Sequence, residues 1–146
     1  MSDESFPVVW LGTAAVITLP AEIDIANADQ IREDLLLTLN RGAATLVVDM
    51  GGTTFCDSAG VNALVRAFKR ASANSTQMRL VVAAPGVQRV LSITGVDHLI
   101  DVYPTVAASL AALNAAPRRN GQGTGAAGLY ALPADPEAGG RAPQPG

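Results

Sequence analysis

The chain has 146 residues, a hydrophobic content of 49% and a formal net charge of -3. These values allow one domain of ordinary size with a single apolar core. The acidic balance supplies no positive field to attract phosphate backbones, so direct nucleic-acid binding is not expected. No apolar run approaches the roughly 18 residues of a membrane-spanning helix, and the acidic start MSDESF does not resemble a signal peptide. We therefore expect a cytoplasmic protein without membrane contact.

The composition of the chain changes near Pro117. Residues 117–146 hold seven of the fourteen glycines and five of the nine prolines, with few large apolar side chains. Such a segment buries too little apolar surface to offset the entropy lost on ordering it. We predict a folded domain over residues 1–116 and a disordered, flexible Gly/Pro/Ala-rich tail over residues 117–146.

The first predicted elements along the chain are a β-hairpin and an amphipathic helix. Val8–Leu11 and Ala14–Leu19 are short runs rich in apolar residues, with a glycine and a threonine between them. Asn27 and Gln30 have the spacing of a capping box, and apolar residues follow at helical spacing up to Gly42. The pattern predicts that the two strands pair and that the helix begins directly after Asn27.

Helices and strands alternate in the rest of the predicted domain. One helix should begin near Ser58, because apolar residues form a stripe on one side of it and basic residues lie on the other. Another should end at Gly95, and a closing helix should run from Thr105. Three further strands are predicted, at Leu46–Val48, Leu80–Ala84 and Leu99–Tyr103. Since a helical crossover returns a parallel strand, this order predicts an α/β fold with a mixed sheet opened by the hairpin.

The sequence lacks the residue patterns of several enzyme classes. It has no phosphate-binding loop ending in Lys and Ser or Thr, and no nucleophile elbow to accompany its only histidine, His98, which we place in a loop. One histidine and one cysteine cannot form the usual nitrogen and sulfur metal sites, although a carboxylate site for magnesium stays open. The spacing of Gly123, Gly125 and Gly128 lacks the preceding strand of a dinucleotide site. We predict no enzymatic activity and no cofactor.

The segment Phe55–Val61 is the remaining candidate for a functional site. Asp57 and Ser58 stand where a loop meets the second helix, and either residue could simply cap that helix. Alternatively, Ser58 could accept a phosphoryl group, because free amides and the positive dipole at a helix N-terminus favour an anion. Spacing alone leaves both interpretations open. The neighbouring Cys56 is interpreted as a small buried hydrophobic residue.

Residues 57–61, Asp-Ser-Ala-Gly-Val, resemble the phosphorylation motif of the anti-sigma factor antagonists in the STAS family. Glu22–Asp24 is similar to an acidic element that the family carries after its second strand, although Ala21 stands where glycine is common. Val47–Asp49 resembles the central strand of the family. The order of predicted elements also resembles the STAS fold, from the first strand to the closing helix.

This resemblance implies that the protein works by partner exchange. The unmodified form would bind an anti-sigma factor that is also a serine kinase, and would thereby free a sigma factor. Phosphorylation of Ser58 would switch this binding off, and a serine phosphatase would restore it. Asp57, Glu22, Asp24 and Gly60 would contribute to the partner surface around Ser58. For the three carboxylates, the alternative interpretation is that they only keep the loops solvated.

Two other functions stay open at this point. The chain could be a structural STAS subunit of a stress-signalling or lipid-transport complex, in which the same fold mediates packing. It could also bind or hydrolyse a nucleotide, although the missing phosphate loop argues against this.

Overall fold

The computed structural model of the protein describes residues 6–112, and the predicted tail at 117–146 lies outside these described residues. The strands are β1 (Val8–Leu11), β2 (Ala14–Thr18), β3 (Glu22–Ile23), β4 (Thr45–Met50), β5 (Phe55–Cys56), β6 (Gln77–Val82) and β7 (Asp101–Tyr103). The helices are α1 (Ala28–Asn40), α2 (Ser58–Ala73), α3 (Pro85–Thr94), α4 (Val96–Leu99) and α5 (Val106–Ala111). No helix in this part of the chain is both long and apolar enough to cross a lipid bilayer.

Five strands form a mixed sheet in the order β1-β2-β4-β6-β7. The hairpin strands β1 and β2 are antiparallel, and every other neighbouring pair is parallel. The two parallel crossovers between β2, β4 and β6 contain α1 and α2, as expected for helices that connect parallel strands. The predicted α/β fold with a mixed sheet opened by a hairpin is therefore confirmed.

The two faces of the sheet are covered unequally. On one face, side chains of the central strands pack with α1–α4 in the main hydrophobic core, which includes the fully buried Ile17, Leu46 and Leu80. On the other face, a smaller apolar cluster of Val16, Val47 and Val81 packs against α5. Because both faces of β4 and β6 are covered, these strands are apolar along most of their length.

Helix α1 begins at the predicted place by a different mechanism. Asn27 is the N-cap residue, but its side chain makes no capping hydrogen bond. Its Oδ1 instead accepts from the Asp24 N–H at 3.0 Å, and its Nδ2 donates to the Glu22 carbonyl at 2.8 Å. Gln30 donates to Asp34 at 2.8 Å and so does not complete a capping box. The capping-box prediction is wrong because the Asn27 side chain forms hydrogen bonds with backbone groups of the preceding loop instead of with the helix.

The segment after α3 also differs from its prediction. Val96–Leu99 forms the short helix α4, so His98 is helical and not in a loop. The last strand consequently begins at Asp101, two residues later than Leu99. Gly95 has a positive φ of 83°, which allows the chain to end α3 and turn directly into α4. A single turn of helix gives too little periodicity to be distinguished from a strand in the sequence.

Candidate functional site

Asp57 caps helix α2. Its backbone is extended, and its Oδ1 accepts hydrogen bonds from the N–H groups of Ala59 at 2.9 Å and Gly60 at 3.1 Å. The Asp57 carbonyl accepts from the Val61 N–H at 3.0 Å, which is the first turn of the helix. The carboxylate also places a negative charge at the positive end of the helix dipole. The capping interpretation of the motif therefore applies to Asp57.

Ser58 is the first residue of α2 and its side chain is exposed. Its hydroxyl is thus available to an enzyme without unfolding of the helix. The expectation that free amides would hold a phosphate on Ser58 is only partly met, because Asp57 already engages the amides of Ala59 and Gly60. A phosphoryl group there would share the helix N-terminus with an existing carboxylate.

Two short strands join the acidic segment Glu22–Asp24, here called the acidic loop, to the segment that precedes Ser58. β3 and β5 pair in parallel, with Glu22 opposite Phe55 and Ile23 opposite Cys56, and we call this pair the clip. The Asp57 N–H donates to the Ile23 carbonyl at 3.1 Å, which extends the pairing to the start of α2. Glu22 and Ser58 are therefore brought to the same part of the surface, although 35 residues separate them in the sequence.

A buried threonine fixes the clip to the end of β2. Thr53 is fully buried, and its hydroxyl donates to the Pro20 carbonyl at 2.8 Å. The Thr54 N–H donates to the Ala21 carbonyl at the same distance. Among the described residues, Ser75 is the only non-glycine with a positive φ, so the conformation at Ala21 does not require glycine. The departure from the family pattern at this position therefore leaves the loop intact.

The two carboxylates of the acidic loop have different surroundings. Glu22 is exposed, whereas Asp24 is half-buried. The Asp24 side chain accepts from the Ala26 N–H at 2.9 Å, and its carbonyl accepts from the Ala28 N–H at 2.9 Å. Asp24 consequently shapes the turn into α1, while the Glu22 side chain is exposed to solvent.

Gly60 lies in the first turn of α2 and is buried against the clip. A Cβ atom built on Gly60 would lie 2.5 Å from Ile23 Cγ2 and 2.7 Å from Cys56 Sγ, distances that atoms of a folded protein do not tolerate. The absence of a side chain therefore lets α2 pack directly on the clip. The sequence placed Gly60 among the partner-contact residues, and its buried position means that it can support such a surface only from below.

Cys56 is a clip residue whose side chain is buried against α2. Burial, together with the negative charge of Asp57, raises the pKa of the Cys56 thiol to about 11. The thiol is consequently protonated at neutral pH, and a protonated thiol is a poor nucleophile and metal ligand. Within residues 6–112, no three histidine, cysteine or acidic side chains cluster in a way that could hold a metal ion.

Two exposed apolar side chains, one in the clip and one just after β3, were not predicted from the sequence. Ile25 is 82% exposed and Phe55 is 51% exposed. In β5 the side chains alternate, so that Cys56 points into the core and Phe55 points outward. Exposed apolar side chains rimmed by polar residues mark protein interaction sites where they form a contiguous patch. We call Glu22, Ile25, Phe55, Asp57 and Ser58 together the Ser58 surface.

The fold is shared with several solved structures. An anti-sigma factor antagonist from Mycobacterium paratuberculosis matches with a TM-score of 0.68 and 22% identity, over 74% of this chain and 92% of that one. The antagonist SpoIIAA, in its unphosphorylated form, matches with a TM-score of 0.66 and 21% identity, over 78% of this chain and all of that one. The phosphorylated form of SpoIIAA from Bacillus matches with a TM-score of 0.60 and 20% identity, over 75% of this chain and all of that one.

A transporter also contains this fold. The murine anion transporter Slc26a9 matches with a TM-score of 0.58 and 22% identity, over 69% of this chain but only 18% of the transporter. At these identities the likeness concerns the fold.

The family follows from the sequence match. The family model described as the STAS domain matches residues 7–109, which is almost all of the part of the chain that the structure describes. The predicted family is thereby confirmed, and the chain belongs to the STAS domain family.

Proposed function

We propose that this protein is an anti-sigma factor antagonist that phosphorylation of Ser58 switches off. The observation that carries the proposal is an exposed serine at the first position of α2, directly after the capping residue Asp57. It is supported by the shared fold of SpoIIAA, whose structures are described in unphosphorylated and phosphorylated forms. The protein itself performs no chemistry and is the substrate of the kinase.

The unmodified protein binds an anti-sigma factor that has serine kinase activity, through the Ser58 surface. Ile25 and Phe55 supply the apolar contacts, since the apolar area that they expose would be removed from water in the complex. Glu22 and Asp57 lie at the edge of these contacts and attract basic groups of the partner. Asp24 and Gly60 act indirectly, by holding the loop and the clip in place.

Phosphorylation acts on the interface more than on the fold. A phosphoryl group adds a charge of about -1.5 to -2 next to the carboxylate of Asp57. Because Asp57 occupies two amides of the first turn, the phosphate gains little internal compensation there. Binding would then require removal of water from a dianion or its contact with acidic groups, and each 1.4 kcal/mol lost weakens binding about tenfold. A serine phosphatase removes the group and restores binding.

The test uses a purified anti-sigma kinase from the same cell, with ATP. We expect labelling of the wild-type protein at Ser58 in phosphopeptide mass spectrometry, and no labelling of Ser58→Ala. Ser58→Ala should retain kinase binding in titration calorimetry, whereas Ser58→Glu should fold normally and bind at least about tenfold more weakly. Ser92→Ala is the matched control, because Ser92 is an exposed serine on α3. Labelling of Ser58→Ala at wild-type stoichiometry would place the acceptor elsewhere.

A structural subunit is the second candidate, and the match with part of Slc26a9 is the observation that favours it. In that case the protein would co-purify with a large assembly whether Ser58 is modified or not. Gel filtration of native extracts, with and without phosphatase treatment, separates the two functions. If phosphatase treatment moves the protein from the free to the partner-bound fraction, the result supports the antagonist function.

A further inference from the structure

A groove of about 500 Å³ runs between helices α1 and α2 on the outside of the domain. Helix α1 contributes two lining residues one turn apart, and helix α2 contributes residues along most of its length. Its lining consists of Arg32, Leu36, Asn62, Val65, Arg66, Lys69, Arg70 and Ala73. We call this feature the basic groove.

The charge in the basic groove is concentrated and largely unbalanced. Four of the ten basic residues of a chain with net charge -3 line it, and no acidic residue does. Arg32 is paired with Asp29 at 3.3 Å, whereas Arg66 and Lys69 form no ion pair with any residue in the range 6–112. Arg66 and Arg70 are four residues apart on α2, a spacing at which like charges repel. An anionic ligand would relieve this repulsion.

The arrangement of charged and apolar side chains indicates what kind of anion fits. Leu36 and Val65 are half-buried and line the groove together with cationic side chains from both helices. An amphipathic helix that carries carboxylates beside an apolar stripe matches this pattern. The groove has no aromatic side chain in its lining, and so it offers no ring on which a nucleotide base could stack.

The chain's own C-terminal segment is a poor occupant of the groove. Residues 117–146 contain three arginines against one aspartate and one glutamate, so their charge does not complement the groove. From these observations we propose that the basic groove binds an acidic, helix-forming segment of a partner protein. The binding does not depend on the proposed role of Ser58, although Asn62 lies one helical turn from Ser58 and the two surfaces adjoin.

The test measures binding of a fluorescent synthetic peptide in which glutamate and leucine recur at helical spacing. Fluorescence anisotropy should detect binding to the full-length wild-type protein, and the affinity should fall as salt is added. The double variant Arg66→Glu/Lys69→Glu should bind at least about tenfold more weakly than wild type. The affinity of the neutral double variant Arg66→Gln/Lys69→Gln should lie between those of wild type and the reversed-charge variant. In NMR spectra, the amide shifts caused by the peptide should concentrate on α1 and α2.

Arg89→Glu is the matched control, since Arg89 is an exposed arginine on α3 outside the groove. It should bind the peptide like wild type, and circular dichroism should show all variants folded. A peptide with lysine in place of glutamate should not bind. The proposal is overturned if the acidic peptide fails to bind at low salt, or if the reversed-charge variant binds equally well. It is also overturned if a single-stranded oligonucleotide of equal charge binds more tightly than the peptide.

Discussion

The carboxylate of Asp57 stabilises the N-terminus of α2. Since its Oδ1 accepts from both Ala59 and Gly60, we expect Asp57→Ala to lower the free energy of unfolding by about 1 kcal/mol, within a range of 0.5–2. Asp57→Asn should retain most of this stability, because asparagine also caps helices well. Urea denaturation of the two variants measures the difference. Equal loss in both would mean that the charge, and not the hydrogen bonds, stabilises the start of α2.

Gly60 permits a close approach that no other residue allows. A methyl group there would meet Ile23 and Cys56 well inside contact distance, so Gly60→Ala should destabilise the protein by about 1–3 kcal/mol. Gly86→Ala in α3 is the control, since a Cβ at Gly86 would meet no atom within 4 Å. The control should be neutral or slightly stabilising in thermal unfolding. A wild-type stability for Gly60→Ala would show that the clip can shift away from α2.

The thiol of Cys56 gives the protein a pH-dependent stability in the alkaline range. Its folded-state pKa of about 11 lies above the ordinary value of 9.0, so the folded state holds the proton more strongly. The stabilisation is complete below about pH 9 and is lost as the pH rises through the interval to about pH 11. Compared with Cys56→Ala, wild type should lose more stability across this interval in urea denaturation. Alkylation by iodoacetamide at pH 8 should be slow until the protein is unfolded.

At the scale of elements, a buried arginine ties α5 to the sheet. Arg79 in β6 donates to the Ser109 carbonyl at 2.8 Å, and its guanidinium lies 5.8 Å from the centre of the Tyr103 ring. Arg79→Ala should therefore cost about 1.5–3 kcal/mol and increase hydrogen exchange in α5. The exposed Arg89→Ala is the control and should change neither quantity. If hydrogen exchange in α5 were unchanged, the apolar contacts of Val106 and Leu110 would be sufficient to hold α5 on the sheet.

Periodicity decided which elements were predictable. The hairpin, α1, α2 and α3 each contain enough residues for alternation or a helical stripe to appear, and their predicted positions agree with the structure. The clip was not predictable, because a two-residue strand has no period and β3 and β5 are defined by hydrogen bonds between distant segments. α4 was missed for the same reason of length.

The site was predictable where it depends on sequence neighbours and less so where it depends on packing. The place of Ser58 at the start of α2 followed from the apolar stripe that begins at Val61. The burial of Gly60 and the exposure of Ile25 depend on how α2 and the clip meet, which spacing along the chain does not encode. The roles of Ser58 and its acidic neighbours remain predictions.

At the scale of the whole molecule, the folded domain should be independent of the C-terminal segment. Since residues 117–146 are rich in glycine and proline, we predict that a protein ending at Ala116 unfolds with the same midpoint and cooperativity as the full chain. Urea denaturation followed by circular dichroism measures both. A lower midpoint or a broader transition in the shortened protein would show that the segment packs on the domain.

The uneven covering of the sheet determines where self-association would begin. Val16, Val47 and Val81 lie under α5, which has only six residues, and their row continues to the exposed Val9 and Leu11 of β1. Within residues 6–112, β1 has a strand neighbour on one side only. Transient detachment of α5, well before global unfolding, would present a continuous apolar band beside an unpaired strand edge, and such edges recruit further strands. The rate of aggregation on storage should therefore follow the opening of this one helix and not the midpoint of unfolding.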